Sequence, residues 1–385
     1  MLQKTPDPSL TISRVETSSA LDDFIRAPWR VYADDPAWRA PLLFERKQHL
    51  SPKSNPAMAR LEHAMWVARR GGEPVGRISA QIDPLAEAHQ GSGLGHFGFI
   101  EGIDSESVFD GLFGAAEAWL RERGANRVQG PFNWTINQEC GLLVDGFDTP
   151  PQIMMPHGRP YYGGHLDRLG YAKAADTFAF LYRGEGHDTP TMRRAVAAAK
   201  KHEGLTVRPL NMKRFDEEVR NALTIFNGAW AGNWGFIPFT DEEIDHAISE
   251  MRPLLTADMG RIAELNGEPV GFAILLPNVN ELARGLNGRL LPFGWSKLLY
   301  RLKVKGPRSV RLPLFGVHAD HLNTRFGSLV TFYLLQEIAD AFVEQGFDEV
   351  EMSWVLEKNT ALCRINEHFG APAYKTYRIY EKALP

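Results

Sequence analysis

The sequence predicts an α/β protein made of two copies of one unit. Three features carry that expectation. Residues 311–358 read as strand, polar turn, helix and strand, a hairpin precedes them, and the same hairpin recurs early in the chain. Residues 311–317 (RLPLFGV) are an apolar run of strand length, and residues 318–327 (HADHLNTRFG) are a polar turn. Residues 328–344 then place Leu329, Phe332, Tyr333, Leu335, Ala339, Phe342 and Val343 at helical spacing. Gly346 stops that helix, and residues 349–355 (EVEMSWV) alternate as a strand does. A strand that feeds its backbone amides into a helix N-terminus is a ready anion site.

The preceding hairpin joins residues 261–265 to 270–276 through Asn266-Gly267-Glu268-Pro269, where Asn-Gly supplies the positive φ angles of a tight turn. A helix at 360–369 and a strand at 374–380 follow. GGEPVGR at 71–77 repeats NGEPVGF at 266–272, and the repeat extends along the chain. HFGFIEGI (96–103) aligns with PLFGVHAD (313–320), and ERGANRVQGPFNWTIN (122–137) with EQGFDEVEMSWVLEKN (344–359). The helix between them gathers Phe109, Leu112, Phe113, Ala116 and Leu120 on one face, and YYGGHLDRLGYAKAADTFAFLY (161–182) parallels the closing helix and strand. The expected division is a first domain at 10–184, a linker at 185–210 and a second domain at 211–385.

Composition narrows the function classes. A chain of 385 residues can bury two cores, and a net charge of −4 gives no general pull towards nucleic acid. Cys140 and Cys363 have neither CxxC nor His spacing, so inert thiols are expected rather than a disulfide framework or a zinc site. No acidic cluster has metal-ligand spacing, and no metal is expected. The first ten residues (MLQKTPDPSL) lack an apolar core, and no stretch approaches the ~18–20 apolar residues of a membrane span. A cytoplasmic setting is the expectation.

The copies differ where chemistry is expected. The first has Asp104-Ser105-Glu106-Ser107 between strand and helix, with two carboxylates and no glycine, and is expected to bind no nucleotide there. It also carries an insertion at 137–160 containing Glu139, Asp145, Asp148 and His157, which reads either as a functional loop or as a structural flap. Arg193, Arg194, Lys200 and Lys201 read as the solvated face of a connecting helix. In the second copy NWGFIPF (233–239) reads as core or as the wall of an apolar pocket. Residues 282–319 hold no Asp or Glu, and there Trp295, Leu298, Leu299 and Leu302 share one helical face while Lys297, Arg301 and Lys305 share another. That is the pattern of an interfacial helix suited to anionic lipid or acyl-CoA; a surface helix packed on the hairpin is the alternative.

The order of elements, with Val270-Gly271-Phe272, the turn at 325–328 and Asn359, resembles the GNAT acyltransferases, implying two tandem GNAT-like domains. Over nearly the full length, GPFNWTINQECGLLVDGFDTPP (130–151), NWGFIPF, SWVLEKN (353–359) and YKTYRIYEK (374–382) resemble the YghO-like two-copy GNAT family, in particular its bacterial ceramide synthases. The resemblance implies transfer of a long acyl group from acyl-CoA to the amine of a sphingoid base, with acyl-CoA as co-substrate and no prosthetic group. It places the coenzyme in the second copy, at Val317, Arg325, Phe326, Gly327, Ser328 and Asn359. The family's pyrophosphate loop, Gln/Arg-x-x-Gly-x-Gly/Ala, falls on residues 324–329, which keep the central Gly and a neighbouring Arg. The tyrosine that often protonates the thiolate falls on Asn366.

Amide formation needs a base for the ammonium proton, a donor for the oxyanion and an acid for the thiolate. His318, just beyond the strand, is the candidate base, with Glu139 and His157 of the first copy as others. Tyr161 and Tyr162 are candidate acids, and Asp320 and Glu351 are further carboxylates. No Ser-His-Asp arrangement or activated Cys is legible, so direct attack is expected. Two other readings stay open: a GNAT enzyme for a small soluble amine or aminoacyl substrate, and a non-catalytic acyl-CoA or membrane-binding module. The expected partners are acyl-CoA, a lipid amine and the anionic inner face of the cytoplasmic membrane. Oligomeric state is not legible.

Overall fold

The computed structural model describes residue 7, residues 9–184 and residues 189–385; residues 185–188, the start of the expected linker, and most of the N-terminal decapeptide lie outside it. The chain forms two compact units. The first comprises Met1–Asp176, Gly285–Leu290 and Lys375–Pro385, and the second Thr177–Arg284 and Leu291–Tyr374.

In the first unit the sheet runs Leu10–Arg14, Glu62–Arg70, Glu73–Ile82, Leu94–Gly102 and Arg127–Gly130, then the chain's last strand. That strand pairs Tyr380 with Gly130 and Ala383 with Arg127. Helix Glu106–Arg121 covers one face and buries Phe109, Leu112, Phe113 and Leu120 against Phe97 and Ile78. Helix Ser18–Val31 covers the other, where Phe24 and Ile25 meet Phe99 and Trp134. The hairpin turn at Gly71 and Gly72 has φ of 58° and 88°, as the repeat requires.

In the second unit the order is Thr177–Tyr182 of the strand Ala172–Tyr182, then Glu349–Leu356, Ser309–Val317, Glu268–Pro277, Gly260–Leu265 and Leu205–Pro209. Asn266 and Gly267 take φ of 53° and 88°, the predicted tight turn. Helix Arg325–Gln345 is long and apolar enough to cross a membrane by length and composition, contrary to the expectation that no stretch approaches this. It lies on the sheet with Val330, Leu334, Leu335, Ile338 and Phe342 buried, and Gly346 in the left-handed conformation ends it.

Two expectations about organisation change. Residues 189–210 are an integral part of the second unit: helix Pro190–Lys200 buries Met192, Val196 and Ala199, and Leu205–Pro209 pairs with Gly260–Leu265. The closing strands are exchanged. The last strand of the first copy pairs with Glu349–Leu356, and that of the second with Arg127–Gly130, so neither unit is a contiguous stretch.

Candidate active site

In the second unit Ser309–Val317 and Glu349–Leu356 run parallel, from Ser309 against Glu349 as far as Leu312 against Met352. Pro313 comes next and has no N–H to extend the ladder, while a register shift between Ile274 and Leu276 breaks the match with the neighbouring strand. The strand ends therefore part. Pro313, Phe315, Met352, Trp354 and Leu356 keep part of their surface exposed along the opening.

Helix Phe215–Trp230 passes close to one side, because its Gly228 and Ala229 face Ala319 and Gly316 with little between them. Trp230 thereby donates from Nε1 to the Phe315 carbonyl at 3.2 Å. Phe226 stacks on Trp230 at 5.2 Å and meets the edge of Phe239 at 5.7 Å. Asn227 fixes Phe239 through two hydrogen bonds to its backbone, of 3.0 and 2.9 Å. These rings are half-buried, so they form a wall; from NWGFIPF only Ile237 enters the core.

At the far end of the strand the His318 N–H donates to the Val270 carbonyl at 2.8 Å, and its half-exposed ring turns Nδ1 towards Asp320, 3.6 Å away. Thr324 caps the long helix by accepting from the Gly327 N–H at 3.0 Å. Glycine is required there, since a Cβ would stand 2.1 Å from the His321 carbonyl oxygen. Among the described residues, the cap leaves the Arg325 and Phe326 amides without backbone or side-chain partners. The Phe326 ring lies between His321 at 4.7 Å and His202 at 4.9 Å. Two open amides, a guanidinium and imidazoles at a helix N-terminus suit a phosphate-bearing ligand, so these residues fit acyl-CoA. The Ser328 hydroxyl donates to Thr324 O at 3.1 Å, and Val317 is buried at the strand end. Asn359 instead caps helix Thr360–His368, accepting from the Leu362 N–H at 3.1 Å.

Where the strands part, Arg311 and Glu351 are both fully buried. Arg311 Nε lies 2.8 Å from Ser353 Oγ, its guanidinium lies 4.3 Å from the Trp354 ring, and Ser353 and Tyr374 both donate to Glu351. Glu351 is thus enclosed by its partners and fixes the fork of the strands; it does not face the cleft as a base.

The first unit has the same fork, closed. Its parallel pairing stops at His96 against Gln129, and the chain then turns back into the gap. The Phe132 carbonyl comes so near Gly98 that a Cβ there would stand 1.9 Å from it. Asn133 accepts from the Phe99 N–H at 2.6 Å, Gln81 donates to the Phe132 and Trp134 carbonyls, and Trp134 is fully buried. This plug lies just before the expected insertion at 137–160 and is no part of it.

The four first-copy candidates, Glu139, His157, Tyr161 and Tyr162, all lie in this unit. Glu139 is held by Arg46 at 2.9 Å and by Asn133 at 2.7 Å. Burial opposes its charge, but Arg46, His49 and the hydrogen bonds outweigh burial and hold its pKa at about 2. A carboxylate so committed is a poor proton acceptor near neutrality. His157 pairs with Asp35 at 3.0 Å, and burial drives its pKa down against that pairing. The Tyr161 hydroxyl donates to the Gly102 carbonyl at 2.8 Å, and burial raises its pKa to about 12. Tyr162 and Tyr32 both donate to one oxygen of Glu101, at 2.7 and 2.5 Å, with Arg77 3.6 Å from the other. Burial raises the pKa of Glu101 despite Arg77.

Sequence reasoning missed His202, His321 and Glu101. His321 was legible, one helical turn after His318 in the same polar turn. His202 comes from another element and leaves no local signal. The expected alignment set Glu101 opposite His318, but Ile103 N–H donates to Val75 O just as His318 N–H donates to Val270 O, so Ile103 holds the place of His318 and that alignment is two residues out.

No family model matches the chain. It is 45% identical over 365 residues to Protein YghO of Escherichia coli (strain K12), covering 94% of this chain and 93% of that one. It is 44% identical over 376 residues to Bacterial ceramide synthase of Caulobacter vibrioides (strain NA1000 / CB15N), covering 97% and 98%. The chain belongs to the YghO-like family. Among solved structures, a tandem GNAT protein from the clavulanic acid biosynthesis pathway superposes with a TM-score of 0.56 at 12% identity, covering 98% of this chain and 99% of that one. A GCN5-related N-acetyltransferase from Sphaerobacter thermophilus gives 0.53 at 14% identity, covering 99% and 97%. The YghO-like chain therefore has the tandem GNAT fold. Among the described residues of this family member no three His, Cys, Asp or Glu side chains gather as a metal site.

Proposed function

We propose that the chain transfers a long acyl group from acyl-CoA to the amine of a sphingoid base, forming a ceramide-type amide. Its class, acyl-CoA-dependent N-acyltransferase, follows from family and fold together; the acceptor and the acyl length are the proposal. One observation carries it: the open fork of the second unit, walled by Phe226, Trp230 and Phe239, which ends at His318 and the open helix N-terminus. The amides of Arg325 and Phe326 hold coenzyme phosphate, and the thioester lies along the parted strands. His318 takes one proton from the ammonium, the amine attacks the thioester carbonyl, and the C–S bond breaks with departure of the coenzyme A thiolate, which takes up the second proton that the nitrogen sheds on becoming an amide.

The test offers the purified protein acyl-CoAs of graded length with sphinganine, its 3-keto precursor and small amines, and measures amides by mass spectrometry. Long-chain amides of a sphingoid base are expected. Product from acetyl-CoA and a small amine alone would replace this reading with that of a small-amine acetyltransferase.

A further inference from the structure

Residues 291–305 differ in structure from what their periodicity predicts. The apolar face expected to meet a membrane is divided. Leu298 and Leu302 turn inward together with Arg301, which donates to the Leu282 and Arg284 carbonyls at 2.6 and 2.7 Å and so is no part of a free basic face. These side chains anchor the segment. Its outer side carries Leu291, Phe293, Trp295, Leu299, Tyr300 and Val304. Leu291 is 79% exposed, Phe293 78% and Val304 69%, and of the ten exposed large apolar residues among those described, six lie here. A contiguous apolar surface of this kind marks an interaction site.

We infer that residues 291–305 are a docking element for an anionic phospholipid surface, with Leu291, Phe293 and Trp295 entering the acyl region and Lys297 and Lys305 remaining at the headgroups. Charge selects this occupant. No Asp or Glu occurs from residue 282 to residue 319, and among the described residues no carboxylate meets Lys297 or Lys305. Lys303 is held apart, donating to the Pro253 carbonyl at 2.7 Å. A protein partner of ordinary mixed charge would leave these ammonium groups without a special role, whereas at an anionic bilayer each adds to the attraction while apolar side chains add insertion. Trp295 and Tyr300, apolar rings with a polar edge, suit the boundary between the two regions. The inference requires nothing of the reaction proposed above.

Vesicle sedimentation of the full chain tests it, with phosphatidylcholine alone and mixed with phosphatidylglycerol, at low and high salt. Binding to mixed vesicles is expected to exceed binding to neutral ones by about tenfold or more and to weaken with salt. Leu291→Ser with Phe293→Ser should lower binding to mixed vesicles by about tenfold or more, and Lys297→Glu with Lys305→Glu should abolish the preference for anionic lipid. All four side chains are exposed, so thermal unfolding should be unchanged. Quenching by brominated lipid should fall in Trp295→Phe. Absence of vesicle binding, or wild-type binding by both double variants, overturns the inference. So does a concentration-dependent dimer that Phe293→Ser dissolves, which would put a second copy on this surface.

Discussion

The two units solve one geometric problem in opposite ways. In each, two parallel strands part after a few rungs and a helix starts beyond them. Val108 and Leu112 stand over Gly76 as Val330 and Leu334 stand over Gly271, so Ser105 holds the place of Gly327. The first unit crosses from strand to helix in residues 103–105 and fills its fork with Phe132 and Trp134. The second takes residues 318–324 to cross, opens a helix N-terminus, and leaves its fork lined but unfilled. A fork is thus not itself a site; what enters it decides. The first unit uses the space for packing and ion pairs, and the second leaves it open.

The comparison breaks first at Gly327. Gly327→Glu adds a Cβ against the His321 carbonyl and a negative charge beside phosphate, and such juxtaposition costs several kcal/mol, so coenzyme A affinity should fall roughly a hundredfold or more. Ser105→Ala, at the matching place, should leave calorimetric binding unchanged. Equal losses would mean that both forks bind. Next in size, His318→Ala should lower turnover by roughly 10²–10⁴-fold with coenzyme affinity kept, while Glu139→Gln stays within about threefold of wild type. Steady-state rates with the pairing reversed would move the base to the first unit.

Packing gives the third test. Trp134 is fully buried, so Trp134→Ala should cost about 3–5 kcal/mol in urea unfolding. Half-buried Trp230 should cost less than about 2 kcal/mol while slowing long-chain transfer. A larger stability loss at Trp230 would show a wall that is really core. The smallest effect concerns pH. Glu139 has a folded pKa of about 2 against an ordinary 4.5, so its contribution is present above pH 4.5 and is lost as pH falls towards 2. The stability gap between wild type and Glu139→Gln, of order 2–3 kcal/mol at neutral pH, should narrow between pH 5 and 2.5. A constant gap would mean that Glu139 titrates normally.

Much of the fold was legible because its signals are local. The GEPVG turns, the apolar spacing of residues 328–344 and Gly346 each follow from a few neighbouring side chains. The plug was not legible, since Trp134 lies in a run whose fate depends on Gly98 and Gln81, far off in sequence. Nor was the strand exchange: Ala172–Tyr182 and Ala373–Ala383 have the same length and similar alternation, and nothing within either strand selects its neighbour. In the site, the helix N-terminus and His318 could be read from a single turn of chain. The pairing of Glu139 with Arg46 could not, because two distant segments form it, and that pairing turns a candidate base into a fixed anion.

Strand exchange also sets a timetable for synthesis. Arg127–Gly130 emerges from the ribosome long before the strand that will flank it, and the first unit waits with an open sheet edge until residues 375–385 are released. The half of the protein made first is therefore among the last to be finished. A nonsense codon before Lys375 would spare every residue of the second unit that lies upstream of it, yet the injury would fall on the first.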